Sequence, residues 1–198
     1  MAKTSLKTKM RCPWLKLDEP IYVDYHDKEW GRPVKDDRLL FEMLTLEGAQ
    51  AGLSWLTVLK KRQRYKEVFY NFDVNKVSKI TKREVNQILK DVGIIRNRLK
   101  VESTISNAKS FIDVQKEFGS FSDYIWSFTN NKIIYNSFKT LKDYPAKTEL
   151  SDRISKDLKK RGFRFVGSTI IYAYIQAIGI TNDHSKNCYL NRKKIKKI

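Results

Sequence analysis

Apolar residues along this chain recur at helical spacing rather than in alternation, so the pattern predicts a set of helices. The densest run is Leu39, Leu40, Phe41, Met43, Leu44 and Leu46. It predicts a buried helix over residues 36–47 with Asp36 or Asp37 as its N-cap. A carboxylate, Glu47, stands at its end, and the chain then turns at Gly52-Leu53-Ser54 before Trp55. A second helix is predicted over residues 54–69, where Trp55, Val58, Leu59, Tyr65, Val68 and Phe69 interleave with lysines and arginines. Two short helices follow over residues 73–80 and 81–89, the later one opening on a capping box of Thr81 and Glu84. Gly93 suits a left-handed helix end. Residues 96–118 predict a long helix that turns Leu99, Ile105, Ala108, Phe111, Ile112 and Val114 inward. A short aromatic helix over 121–128, a long loop over 130–144 and a helix over 151–160 capped by Ser151 or Asp152 come next. The last helix spans 168–178 and is stopped by Gly179. Residues 12–30 read as irregular, broken by Pro13 and Pro20. With no internal repeat and no run of strands, the predicted class is all-α.

A length of 198 residues predicts one helical domain over residues 12–191, between a loose basic arm at 1–11 and a basic tail at 192–198. The longest apolar segments are too short to span a bilayer, so no membrane partner is expected. The basic N-terminus lacks the apolar stretch of a signal peptide, which fits a cytoplasmic protein. Net charge changes the picture more. It is +18, and the two terminal segments contribute nine cations and no acids, leaving +9 on the body. A polyanion, most commonly nucleic acid, is the partner such charge attracts. A lysine-rich composition without such a partner is the alternative.

Three constellations can carry chemistry. The two cysteines and two histidines fall into two groups, Cys12 with His26 and His184 with Cys188. His184-x-x-x-Cys188 lets two ligands reach one ion from a single turn. A Cys2His2 set suits one zinc ion, and four protein ligands leave no open position, so its role would be structural. Unrelated residues, or a disulfide, are the alternatives. The second constellation is Lys159-Lys-Arg-Gly-Phe-Arg-Phe-Val-Gly-Ser-Thr, a tight turn between two helices containing Gly162 and Gly167. Ser168 and Thr169 stand where a helix begins, and backbone N–H groups there suit one phosphate, with Arg161 and Arg164 adding attraction. An ordinary helical hairpin is the plainer reading. The third is Glu47 among Trp14, Tyr22, Tyr25, Trp30 and Trp55, the raw material of a site for a flat, polar or cationic ring. A carboxylate that follows a core helix into water is the plainer reading of Glu47.

YHDKEWG at 25–31, FEMLTLEG at 41–48 and AGLSWLTVLKKR at 51–62 resemble the DNA-3-methyladenine glycosylase I family, and the resemblance covers about residues 11–188. It implies a two-lobed helical DNA glycosylase fold with a divergent helix-hairpin-helix, through which Gly162, Arg164, Gly167, Ser168 and Thr169 meet DNA. It implies a zinc staple at Cys12, His26, His184 and Cys188. Tyr25 and Trp55 would flank a flipped base, Glu47 would hydrogen-bond its edge, and Trp14 adds a further wall. Leu53, exposed on a glycine turn, would wedge the gap left in the stack. The implied partner is double-stranded alkylated DNA, met by a monomer. A catalytic aspartate follows the hairpin in many of the wider superfamily. Here Asp183 is the only nearby acid and falls short of that position, and no hairpin lysine stands out as a nucleophile. The implied enzyme is therefore monofunctional, releasing 3-methyladenine without strand cleavage. N3-methylation makes the base cationic and a good leaving group, so Glu47 is expected to act first in recognition and electrostatics, and second as a proton acceptor. A zinc-stapled module that binds nucleic acid without chemistry, and a protein-interaction domain, are the competing classes. Steep salt dependence of binding separates these two.

Overall fold

The centre of the molecule is α2 (Asp37–Gln50), in which every residue from Leu40 to Ala49 is buried. The computed structural model describes residues 9–191. The helix is started by Asp36, whose carboxylate accepts from Leu39 N at 2.8 Å. Asp37 does a longer-range job. It accepts from Phe121 N and Ser122 N at 2.9 and 2.8 Å, so it caps α8 (Phe121–Ser127) from another helix. Around α2 pack α3 (Trp55–Leu59), α7 (Arg98–Phe118), α8 and α10 (Ser168–Ala177). A helix buried on all sides needs neighbours on all sides, which is why this apolar run gathers the rest of the chain.

The 54–69 segment is two helices, α3 and α4 (Arg62–Val68), not one. The break has a periodic cause. Leu59 and Tyr65 lie six residues apart, which on one straight helix would put them about 120° off a common face. Breaking at Lys60-Lys61 lets both be buried. The stretch read as irregular contains α1 (Pro20–Lys28), with Pro20 in its first turn, where a missing N–H costs no bond. The short helices α5 (Val74–Val77) and α6 (Lys82–Ile88) form as expected, and the Thr81–Glu84 capping box is present.

Gly93 is not in the left-handed region. It is needed for space, since a Cβ there would lie 2.6 Å from Arg64 Cγ. Leu99 is 53% exposed rather than inward, because it sits two residues, about 200°, from buried Val101. Ile105 and Ile112 are half-buried, while Ala108, Phe111 and Val114 are core. The next helix, α9 (Glu149–Lys160), starts before the expected cap: Thr148 is the N-cap, and Ser151 is its capping-box partner.

The 130–144 segment is mostly loop, but β1 (Ile134–Tyr135) pairs in parallel with β2 (Thr181–Asn182). This pair holds the loop against the end of α10. Among the described residues, no helix is long and apolar enough to cross a membrane. The outer parts of both basic termini, residues 1–8 and 192–198, lie outside the described residues. Arg11 is not loose: it forms a bidentate pair with Asp27, with its closest contact at 2.8 Å.

Candidate active site and metal cluster

Residues from five parts of the chain line an open cavity of about 170 Å³. Its walls are Trp14 and Trp30 from the segments flanking α1, Tyr22 and Tyr25 from α1, and Trp55 from α3. Glu47 and Gln50 come from the last turns of α2, Tyr144 from the 130–144 loop, and Ala173 and Gln176 from α10. The space is small for a ligand site and fits one flat ring system. Tyr25 and Trp55 lie 5.2 Å apart between ring centroids. Trp14 packs tilted on Tyr22 at 5.4 Å and edge-on against Trp30 at 4.8 Å.

Glu47 is 3% exposed, and its Oε2 has no hydrogen-bond partner. Burial pushes its carboxyl up to about 8. Its negative form would in turn hold the neighbouring phenols protonated. Tyr22 is pushed up to about 12, first by burial and then by Glu47, and Tyr25 rises for the same two reasons. The indole Nε1 of Trp55 is also buried without a partner. Two orphaned polar groups in one aromatic cavity, an acceptor and a donor, are costly unless something arrives to pair with them. Glu42, five residues earlier on the same helix, is equally buried and its Oε2 also lacks a hydrogen bond, but cations meet its charge, Arg62 at 2.6 Å and Lys66 at 3.3 Å from Oε1, whereas Glu47 has no ion pair among the described residues. The contrast separates a structural carboxylate from one left open.

Cys12, His26, His184 and Cys188 come together as one buried cluster, with their ligand atoms within 4.8 Å of one another. His184 Nδ1 is 3.5 Å from both sulfurs, and His26 Nε2 is 3.6 Å from Cys188 Sγ. The far nitrogens are engaged outward. His26 Nδ1 meets Asp27 Oδ1 at 2.8 Å, and His184 Nε2 meets the Trp30 carbonyl oxygen at 3.2 Å. Donation to these two oxygens leaves His26 Nε2 and His184 Nδ1 as inward lone pairs. The Cys188 thiol is pushed down by hydrogen bonds, chiefly from Cys12 and then from the two imidazoles, while Cys12 is pushed up. The cluster can hold a metal ion.

The α9–α10 turn is tight and well fastened. Gly162 and Phe165 take positive φ, +88° and +55°. Ser155 Oγ donates to Val166 O at 2.6 Å. Gly167 is the N-cap of α10 and offers no side-chain cap. Arg164 and Thr169 are exposed, whereas Ser168 points its hydroxyl at Ser151 at 2.8 Å. Arg161 is not a free cation. It pairs with Glu117 at 2.6 Å and Asp157 at 2.7 Å. Leu53 is 42% exposed on the turn after α2, beside Gly52 at φ +78°. Asp183 is fully buried, and its carboxylate accepts from Tyr172, Gln176 and Asn136. Three donors hold this buried acid in place.

The expected aromatic–acid cluster is therefore one place. Gln50, Tyr144, Ala173 and Gln176 were missed. The last three lie far along the chain in unremarkable contexts, and no local signal marks them.

The sequence profile of the methyladenine glycosylase family matches residues 14–192. A curated relative from Haemophilus influenzae, DNA-3-methyladenine glycosylase, is 49% identical over 178 residues, covering 90% of this chain and 96% of its own. A crystal structure of 3-methyladenine DNA glycosylase I is 44% identical with a TM-score of 0.89, covering 92% of this chain and 100% of its own. A variant of 3-methyladenine DNA glycosylase I crystallised in complex with 3-methyladenine is 34% identical with a TM-score of 0.85, covering 87% and 93%.

Proposed function

We propose, on the premise that this chain belongs to the methyladenine glycosylase family, that it hydrolyses the N-glycosidic bond of 3-methyladenine in double-stranded alkylated DNA. It releases the free base and leaves an abasic site, as a monofunctional cytoplasmic monomer in base-excision repair. The observation that carries this reading is the partnerless Glu47 oxygen inside an aromatic cavity of one-ring-system size. A methyl group on N3 gives adenine a positive charge. Stacking on the Tyr25 and Trp55 pair, whose rings touch each other at 5.2 Å and so offer one shared wall, with Trp14 as a further wall, favours such a ring over neutral adenine. Glu47 accepts from the exocyclic amine, and the arriving cation draws its carboxyl back to the charged form. The base departs neutral, so no strong acid is required. Negative potential from Glu47 also favours the oxocarbenium-like sugar as water attacks.

Extrusion of the nucleotide uses Leu53 as a wedge in the stack. The α9–α10 turn serves as a divergent helix-hairpin-helix. The uncapped N–H groups at the start of α10, around Gly167, Ser168 and Thr169, hold one phosphate, while Arg164 adds charge and Gly162 shapes the turn.

The resident metal of the cluster is one structural zinc ion. Sulfur and nitrogen bonded to zinc at about 2.3 and 2.0 Å in a tetrahedron stand about 3.5 Å apart. The separations of 3.5, 3.5 and 3.6 Å fit that edge. Two thiolates and two imidazoles fill the coordination, so zinc here would join the two ends of the domain and take no part in the reaction.

The deciding experiment measures free bases released from duplex DNA treated with a methylating agent, by wild type and by Glu47→Gln. Release of 3-methyladenine by the wild type and little by the variant is expected. A folded wild type that releases none overturns the enzymatic reading in favour of a DNA-binding module.

A further inference from the structure

The turn after α2 and the α9–α10 hairpin are both fastened to one helix, α7, by side chains two turns apart. Lys100 donates from Nζ to the carbonyl oxygens of Ala49 at 2.8 Å and Ala51 at 2.6 Å. These carbonyls lie at the C-terminal end of α2, where the helix leaves acceptors unpaired and its dipole favours a cation. The ammonium is half-buried, and desolvation lowers its pKa. Seven residues on, Asn107 accepts from Arg164 N at 2.8 Å and donates to Arg164 O at 2.9 Å. Two helical turns separate the anchors by about 10.5 Å along the axis. The anchored segments also meet directly, since a Cβ on Gly48 would lie 3.4 Å from Phe165 Cβ.

The turn itself is lightly held. A Cβ on Gly52 would have nothing within 4 Å, and Leu53 N bonds only locally, to Gln50 O at 2.6 Å. Among the described residues, the hydrogen bonds that reach Ala49 and Ala51 from a distant part of the chain come from Lys100. A duplex is a stiff object. A wedge entering its stack and a hairpin gripping its backbone must stand at one fixed separation to act together, and a misplacement of about 1 Å is expensive.

We infer that Lys100 is a positioning residue for base extrusion: it ties the Leu53 turn to α7 and so sets its distance from the hairpin that Asn107 ties to the same helix. The inference rests on the wedge role proposed for Leu53.

The test compares wild type, Lys100→Met, Leu53→Ala and the double variant. Each is titrated with a duplex carrying a tetrahydrofuran abasic analogue and with the undamaged duplex. Binding of free 3-methyladenine, read by tryptophan fluorescence, checks the pocket. Each single variant is expected to bind the abasic duplex about tenfold more weakly, with little change on the undamaged one. The double variant should be no weaker than Leu53→Ala, because both changes disable one device. Lys100→Arg should recover part of the loss. Wild-type affinity in Lys100→Met, beside a weakened Leu53→Ala, overturns the inference alone. So does full additivity, or equal loss on both duplexes, which would mark Lys100 as a plain phosphate contact. Wild-type affinity in Leu53→Ala removes the wedge reading and the inference with it.

Discussion

Trp30 lines the cavity with its ring while its carbonyl oxygen meets His184 Nε2 at 3.2 Å, so the cavity and the metal cluster share a wall. The Trp30 indole also stands edge-on to His184 at 4.7 Å, and Trp14 stands edge-on to His26 at 5.3 Å. Removing the metal should therefore loosen the cavity as well as the fold. Chelation at neutral pH is expected to lower the melting temperature and to weaken free 3-methyladenine binding, with zinc restoring both. Calorimetry and fluorescence titration check this. Loss of stability with unchanged base affinity would separate the two sites.

Asp27 orients His26 through Nδ1 at 2.8 Å while Arg11 holds the same carboxylate. Asp27→Asn keeps the shape and loses the carboxylate charge that orients the ring nitrogen. Metal affinity should fall by about 10–100-fold, measured by competition with a calibrated chelator. Circular dichroism of the metal-loaded variant should match the wild type.

Glu47→Gln should trade activity for stability. In the fold its carboxyl is raised to about 8, above the unfolded value of about 4.5, so burial favours the neutral form. Between those two values the unfolded chain ionises first, and stability declines as pH rises through the window. Glutamine removes that decline. The variant should gain up to about 3 kcal/mol at pH 7, and the gain should shrink to nothing below about pH 4.5. Denaturant melts at four pH values would read it. A gain independent of pH would contradict the raised carboxyl.

Arg164 is exposed on the hairpin and makes no ion pair among the described residues. Arg164→Ala should weaken binding to all duplex sequences alike and reduce the slope of log affinity against log salt by about 1. Binding titrations at several salt concentrations check this. Arg161→Ala should instead act on stability, since its charge is spent on Glu117 and Asp157.

Much of this protein is fixed by local sequence. The run from Leu39 to Leu46 demands a buried helix, and Asp36 and Thr81 mark helix starts through bonds spanning three residues. Four soft ligands in two pairs already suggested one metal site, because their chemistry has few other uses. Glu47 was visible as an acid among aromatics. Its state was not. Glu42 and Glu47 sit on one helix and are both buried, and periodicity treats them alike. Only the tertiary structure brings Arg62 and Lys66 from α4 onto Glu42 and leaves Glu47 without a cation among the described residues. The same holds for Tyr144 and Gln176, which become cavity walls only when the 130–144 loop and α10 fold back against α1 and α2. The break at Lys60-Lys61 and the helix hidden between Pro20 and Lys28 follow the same rule. Spacing along a chain reports which face a residue takes. What that face meets depends on segments distant in sequence, and packing alone decides it.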